Sequence, residues 1–242
     1  MYDYYLRLDL QAALYIAEKS LKASISYVFS ECYGENHHQY LDPVSFDTRT
    51  HSELKVSSLI HTMNELIAEN CRRGNNAIWH YVHQHGYVPL WVLFTVVSFG
   101  NVSVFYANMK DREKDKIAAQ YGLTASELRS MMYLLTHARN ACAHGHRMYT
   151  FGYDVKRPVA IPYTSVHRQL DIADTEGRRD VLATIICLYS LLPSHSFGAL
   201  CHSWQARLTD IKHERFFAGV VNKTNLRFDY LTRLGKPYTY KS

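Results

Sequence analysis

Glycine and proline are scarce in this chain, at 11 and 6 among 242 residues. A sandwich or barrel of short strands needs turn residues about every ten positions, so an all-β fold is excluded and helices are favoured. The five cysteines, Cys32, Cys71, Cys142, Cys187 and Cys201, are odd in number and include no C-x-x-C pair. That excludes a disulfide framework and a zinc ribbon, and makes a reducing cytoplasm the expected compartment. No apolar run reaches the roughly 20 residues that cross a bilayer. The longest, 88–99 and 181–192, read as buried helices, and no membrane partner is expected. The start, Met1-Tyr2-Asp3-Tyr4-Tyr5, has no basic segment ahead of an apolar one, so no signal peptide is expected. Glycine-rich loops of the Walker or Rossmann kind are missing, so nucleotide hydrolysis is unsupported and no cofactor is expected. A strong charge of one sign is missing too. The net charge of +5 permits nucleic-acid binding without requiring it.

What is present is a folded, core-forming composition, 47% hydrophobic and 20% charged. Over residues 3–29, Leu10, Leu14, Ala17, Leu21, Ile25 and Val28 recur at spacings of three and four, which places them on one helix face. A polar loop is expected from Cys32 to Pro43, with His37-His38 in a turn. Thr50-His51-Ser52-Glu53 has the form of a capping box, starting a helix through Leu54, Leu59, Met63, Leu66 and Ile67. A short helix is expected at 77–84. Another runs from 90 to 98 and is interrupted by Gly100-Asn101 before 102–109. Thr124-Ala125-Ser126-Glu127 is a second capping box. It opens the central helix, with Leu128, Met131, Leu134, Leu135 and Ala138 on its buried side. Residues 151–162 contain Gly152, Pro158 and Pro162 and read as irregular, either a linker or an arm. Helices are expected again at 178–192 and 197–208. The expected architecture is therefore all-α. Residues 1–150 form a helical core, and 151–242 form an irregular arm with additional C-terminal helices packed on the same domain.

The central helix ends in Arg139-Asn140-Ala141-Cys142-Ala143-His144, followed by Gly145-His146-Arg147. At about 100° per residue, Asn140 and His144 share a face, while Arg139 and His144 diverge by about 140°. One helix does not aim both at a single phosphate head-on; two such helices packed antiparallel would. RNA is cleaved without metal when the 2′-OH attacks the adjacent phosphorus. That step needs a base for the hydroxyl, an acid for the leaving 5′-oxygen and a cation for the transition state. Histidine titrates near 6.5 and suits the first two roles; arginine, always charged with a fork of donors, suits the third. Asn140 can orient an imidazole or donate to a phosphate oxygen. The same spacing also arises at ordinary helix ends, where Arg and His lie against the last carbonyls.

Around this motif lie Trp91, Ser98-Phe99-Gly100-Asn101-Val102-Ser103, Ile117-Ala118, Tyr121-Gly122-Leu123 and Leu135. In that order, the run 88–147 resembles the Abi-like (AbiD/AbiF-type) abortive-infection proteins of bacteria, in the HEPN superfamily. Members typically show R-N-x-C-A-H-H-x-R. Arg139, Asn140, Cys142, Ala143, His144 and Arg147 match position by position, while Gly145 replaces the second histidine and His146 follows one place later. Asp3-Tyr4-Tyr5-Leu6-Arg7 is similar to the family's D-x-x-L-R entry, and Glu18 falls where its first helix carries an acidic residue. The resemblance implies a HEPN-like helical bundle and a metal-independent endoribonuclease that leaves 2′,3′-cyclic phosphate ends. It also implies a phage-defence or toxin role and a homodimer with a composite site. Arg139, Asn140 and His144 would be catalytic, and His146, Arg147 and Glu18 auxiliary. RNA is the implied substrate, and some members work with a small non-coding RNA. The alternative is a non-catalytic RNA-binding or protein-interaction module on the same fold.

Four basic pairs accompany the motif: Arg72-Arg73, Lys114/Lys116, Lys156-Arg157 and Arg178-Arg179. With 19 tyrosines for base stacking, Arg72, Arg73, Lys156 and Arg157 are the candidate RNA contacts; a merely solvated face is the other reading. His80, His83 and His85 with Cys71 lack a fourth ligand at fixed spacing, so no metal is assigned. Cys142 reads as a small buried residue rather than a nucleophile.

Overall fold

In a computed structural model, residues 2–48, 53–152, 160–169, 171–225 and 228–234 are described. Among them every regular element is helical and no strand is present, so the fold is all-α. No described helix is long and apolar enough to cross a membrane. The chain divides into two compact units, residues 19–125 and residues 1–18 with 126–242.

Helix α1 (Tyr2–Tyr33) contributes to both. Its stripe Leu6, Leu10, Leu14, Ala17, Leu21, Ile25 and Val28 is buried throughout. Burial of such a stripe, at about 25 cal/mol per Å2 of apolar area, is what stabilises a helix of this length.

In the unit 19–125, α2 (His37–Tyr40) is a single turn, so His37-His38 opens a helix rather than a loop. Tyr40 explains it: its ring is buried and its hydroxyl donates to the Val88 carbonyl at 2.6 Å. Residues 50–52 of the first capping box lie outside the described residues. α3 (Glu53–Arg73) buries Val56, Leu59 and Met63, whereas Leu54, another apolar residue of this helix, is 84% exposed. Five residues separate Leu54 from Leu59, about 140° around the helix, so Leu54 points away. α4 (Ala77–His85) is capped by the Asn76 side chain, which accepts from Trp79 N, and ends at Gly86 with φ +74°. α5 (Leu90–Leu93) stops after one turn, and α6 (Phe99–Asn108) starts where Ser98 Oγ accepts from Asn101 N at 3.3 Å. The helix break thus lies at 94–98; Gly100-Asn101, expected to interrupt, sit inside the first turn of α6. α7 (Asp111–Ala119) follows. Phe105 centres the core, with Phe29, Phe46 and Phe94 rings 5.1–5.4 Å away. Buried Glu113 accepts from Tyr33 Oη at 2.7 Å and from Lys110 N at 2.9 Å.

In the other unit, α8 (Ala125–Ala143) buries Leu128, Met131, Leu134, Leu135 and Ala138, as its periodicity requires. α9 (Ser165–Gln169) is short, and its first amide donates to Glu127 Oε1 at 3.2 Å. α10 (Val181–Leu191) is the most completely buried helix here, from Val181 through Leu188. A helix apolar on all sides has no solvent face to offer. Asp180 caps it, accepting from Ala183 N at 2.9 Å, and Asn225 Nδ2 donates to the same carboxylate at 2.5 Å. Burial pushes the Asp180 carboxyl above its ordinary value, against those hydrogen bonds. α11 (Ser194–Ile211), α12 (Phe217–Thr224) and α13 (Phe228–Leu234) complete the unit, with α13 on α11 and α12 on the 3-10 turn Met148–Thr150. Arg207 reaches Asp9 of α1 through two hydrogen bonds, 2.6 and 3.0 Å, and Ser203 Oγ donates to the same carboxylate at 2.8 Å.

Candidate functional site

The end of α8 sorts its residues by environment. Ala138, Ala141 and Cys142 face the core. Arg139, Asn140, Ala143 and His144 face water. Gly145 then takes φ +72°, a left-handed conformation that costs other residues about 1–2 kcal/mol. Gly145 N donates to Cys142 O at 3.3 Å, and His146 N donates to Ala141 O at 2.9 Å. These two crossing bonds are the Schellman ending that glycine favours. The helix therefore stops at the motif, as Gly145 led us to expect. His146 is not free to swing at its backbone, since its amide closes that ending. The His144 and His146 rings lie 6.0 Å apart, both exposed. Arg147, also exposed, leads into the turn at Met148–Thr150, where Met148 is buried.

Two residues of α1 reach this end, and their roles were not read from the sequence. Arg7 Nη1 donates to Gly145 O at 2.9 Å and to His146 O at 3.3 Å. Asp3 lies 3.6 Å from that guanidinium and accepts from Tyr149 N at 3.0 Å. Asp3 and Arg7 are one helical turn apart, so a single face of α1 clamps the segment 145–149. The signal available beforehand was an i,i+4 acid–base pair beside Leu6, which is fully buried. Further along α1, Glu18 Oε2 stands 3.8 Å from Arg139 Nε, with the glutamate side chain 12% exposed and the arginine 45%. The structure thus brings Glu18 to Arg139, while Arg139, Asn140 and His144 are all exposed on α8 and just after it. A pair whose arginine is half open to water contributes about 0–1 kcal/mol to stability.

Burial pushes the Cys142 thiol up to about 12, only partly offset by the Arg7 charge. A thiol so protonated at neutral pH is no nucleophile. Arg72 and Arg73 lie exposed in the last turn of α3, in the unit 19–125, and Arg73 pairs with Glu69 at 2.5 Å. Lys156 and Arg157 fall outside the described residues. Lys114 pairs with Asp111 at 3.0 Å and Lys116 with Glu31 at 2.5 Å. Arg178 is committed to structure, donating to Ile161 O at 2.6 Å and Asp174 O at 2.8 Å. His80, His83 and His85 sit on or beside α4, with His83 Nδ1 2.8 Å from Trp79 O. Among the described residues no three His, Cys, Asp or Glu side chains converge as a metal-holding group.

Fold and site together define an all-α protein with a solvent-facing arginine, asparagine and histidine at the closed end of a buried helix. A family model described as Abi-like protein matches residues 1–150. The chain belongs to the Abi-like family. No curated protein and no solved structure matches it.

Proposed function

We propose that this chain is a metal-independent endoribonuclease of the HEPN type, close to the AbiD/AbiF group, serving abortive infection or a toxin system in the cytoplasm. The observation that carries this reading is who caps α8. Arginine and histidine at a helix end ordinarily serve the last carbonyls. Here the carbonyls of Asn140, Ala141 and Cys142 accept from the backbone amides of His144, His146 and Gly145, and Arg7, from α1, donates to the Gly145 and His146 carbonyls just past the helix. His144 lies exposed at this end, and Arg139 lies exposed with Glu18 3.8 Å away. Side chains placed so, with little gain to the fold, are suited to a ligand.

In the proposed reaction the 2′-oxygen of one nucleotide bonds to the adjacent phosphorus as a base takes its proton. The bond from phosphorus to the 5′-oxygen breaks, and an acid protonates that oxygen. The products are a 2′,3′-cyclic phosphate and a 5′-hydroxyl. His144 acts as the acid or the base, Arg139 neutralises the phosphorane and Asn140 orients them. Glu18 holds Arg139, while His146 and Arg147 are auxiliary cations. One chain offers Arg139 and His144 on diverging faces, so two copies build one site, each supplying its motif across the seam. A small non-coding RNA is a proposed partner, with Arg72, Arg73, Lys156 and Arg157 as contacts.

The test is cleavage of labelled tRNA and mRNA in EDTA by the wild type, Arg139→Ala and His144→Ala. Cyclic-phosphate ends from the wild type alone are expected. No cleavage by any of them, with RNA retained by all, would replace this reading with a non-catalytic RNA-binding module.

A further inference from the structure

The unit 19–125 exposes a group of aromatic rings that its core does not use. α4 buries only Ile78, yet its sequence around the α4–α5 corner is rich in rings. Gly86 ends α4 in the left-handed conformation, which turns the chain so that Tyr87 and then Trp91 come back beside it. Tyr81 lies 5.2 Å from His85 and 5.6 Å from Trp91, ring centre to ring centre. His85 lies 6.2 Å from His80 and 6.3 Å from Tyr87. All these separations fall in the range of interacting rings. His80 and His85 are exposed, Tyr81 and Tyr87 half-buried, and Trp91 is 51% exposed. Five contacting rings open to water are costly to leave idle, because each aromatic gains most by being covered.

The charge around them points to the occupant. From Asn70 to Met109 the chain carries no Asp or Glu, while it carries Arg72, exposed at the end of α3, and the three histidines of α4; Arg73 is paired with Glu69. An acid-free segment with open rings offers no carboxylate to repel an anion and stacks flat π-systems. We infer that the ring cluster His80, Tyr81, His85, Tyr87 and Trp91 is a stacking platform for the unpaired bases of single-stranded RNA. Stacking tolerates any base, and the backbone phosphates meet a segment free of carboxylates. A base-paired duplex hides its π-faces and gains only the electrostatic part. The inference reaches beyond the proposed cleavage, since the platform lies in the other compact unit from Arg139 and His144 and requires no chemistry there.

The experiment uses the full chain carrying His144→Ala, so that strands survive, with fluorescein-labelled oligo(U) and oligo(A) RNA and an RNA duplex of equal length. Anisotropy gives the affinity and tryptophan emission reports stacking. Single strands are expected to bind and quench tryptophan. Trp91→Ala and His85→Ala should each weaken single-strand binding about tenfold, Trp91→Phe should restore most of it, and duplex binding should not change. Both sites are exposed, so unchanged melting is expected to accompany the loss. Two results overturn the proposal: full single-strand affinity in Trp91→Ala and His85→Ala together, or no affinity of the parent chain for single strands. Because binding is read without cleavage, its failure is distinct from failure of the nuclease reading.

Discussion

Replacing Arg7 with alanine tests how the candidate site is held. The substitution removes the donor to Gly145 O and His146 O and the ion-pair partner of Asp3. A hydrogen bond involving a charged group contributes about 1.5–3 kcal/mol. One nitrogen serves both carbonyls, and the Arg7 side chain is 20% exposed, so water replaces part of the interaction. The net loss should be about 2 kcal/mol, or a fall in Tm of roughly 4–8 °C for a chain of this size. The site of the loss can be read from Cys142, which is 4% exposed and packed beside the clamp. With Cys32→Ser and Cys71→Ser in the background, only buried thiols remain, since Cys187 and Cys201 are at most 1% exposed. A thiol reagent then follows local opening. If the clamp holds the end of α8, Arg7→Ala should label Cys142 up to about 30-fold faster, the factor that 2 kcal/mol gives. Cys187 and Cys201 should stay slow. An Arg7→Ala protein that melts with the wild type and labels Cys142 at the wild-type rate would refute the reasoning.

Three further outcomes are expected. A Cβ at Gly152, where φ is +87°, would stand 1.9 Å from the Arg179 carbonyl oxygen. Gly152→Ala should therefore cost more than about 3 kcal/mol and leave little folded protein on expression, while Gly198→Ala, in open space within α11, should stabilise by about 0.5–1 kcal/mol. His167 is fully buried; its Nδ1 accepts from Thr164 N at 3.2 Å and its Nε2 donates to Gly177 O at 2.9 Å. Burial holds its pKa below the ordinary value, so the unfolded chain takes up the proton first. That contribution to stability is fully present above about pH 6.5 and is lost as pH falls through the folded value. Urea unfolding of His167→Gln should show a weaker acid dependence than the wild type. Glu18→Gln weakens its pair with the half-exposed Arg139, so Tm should move by less than about 4 °C; cleavage, if Arg139 serves it, should fall in kcat more than in KM.

Much of the fold was legible because it is local. The α1 stripe, the buried side of α8 and the Gly145 ending depend on residues a few positions apart along one helix, and Cys142 was readable as buried from its place on the apolar face of α8. The sequence also carried the motif, and with it the family. Tertiary structure decided what lies beyond that range. Leu54 fits an apolar list yet stands in water, because angle around α3, not hydrophobicity, decides which residues meet the core. α10 was readable as a buried helix from its apolar run, but its partners were not: Asn225, whose side chain donates to the Asp180 cap, lies 45 positions further along the chain. Arg7 and Gly145 are 138 positions apart, and Asp9 and Arg207 are 198 apart. No periodicity spans such distances. That Arg7 holds the segment just past α8 while Arg139 and His144 remain exposed is a consequence of packing α1 against the end of α8, and it is this that turns a motif into a candidate site.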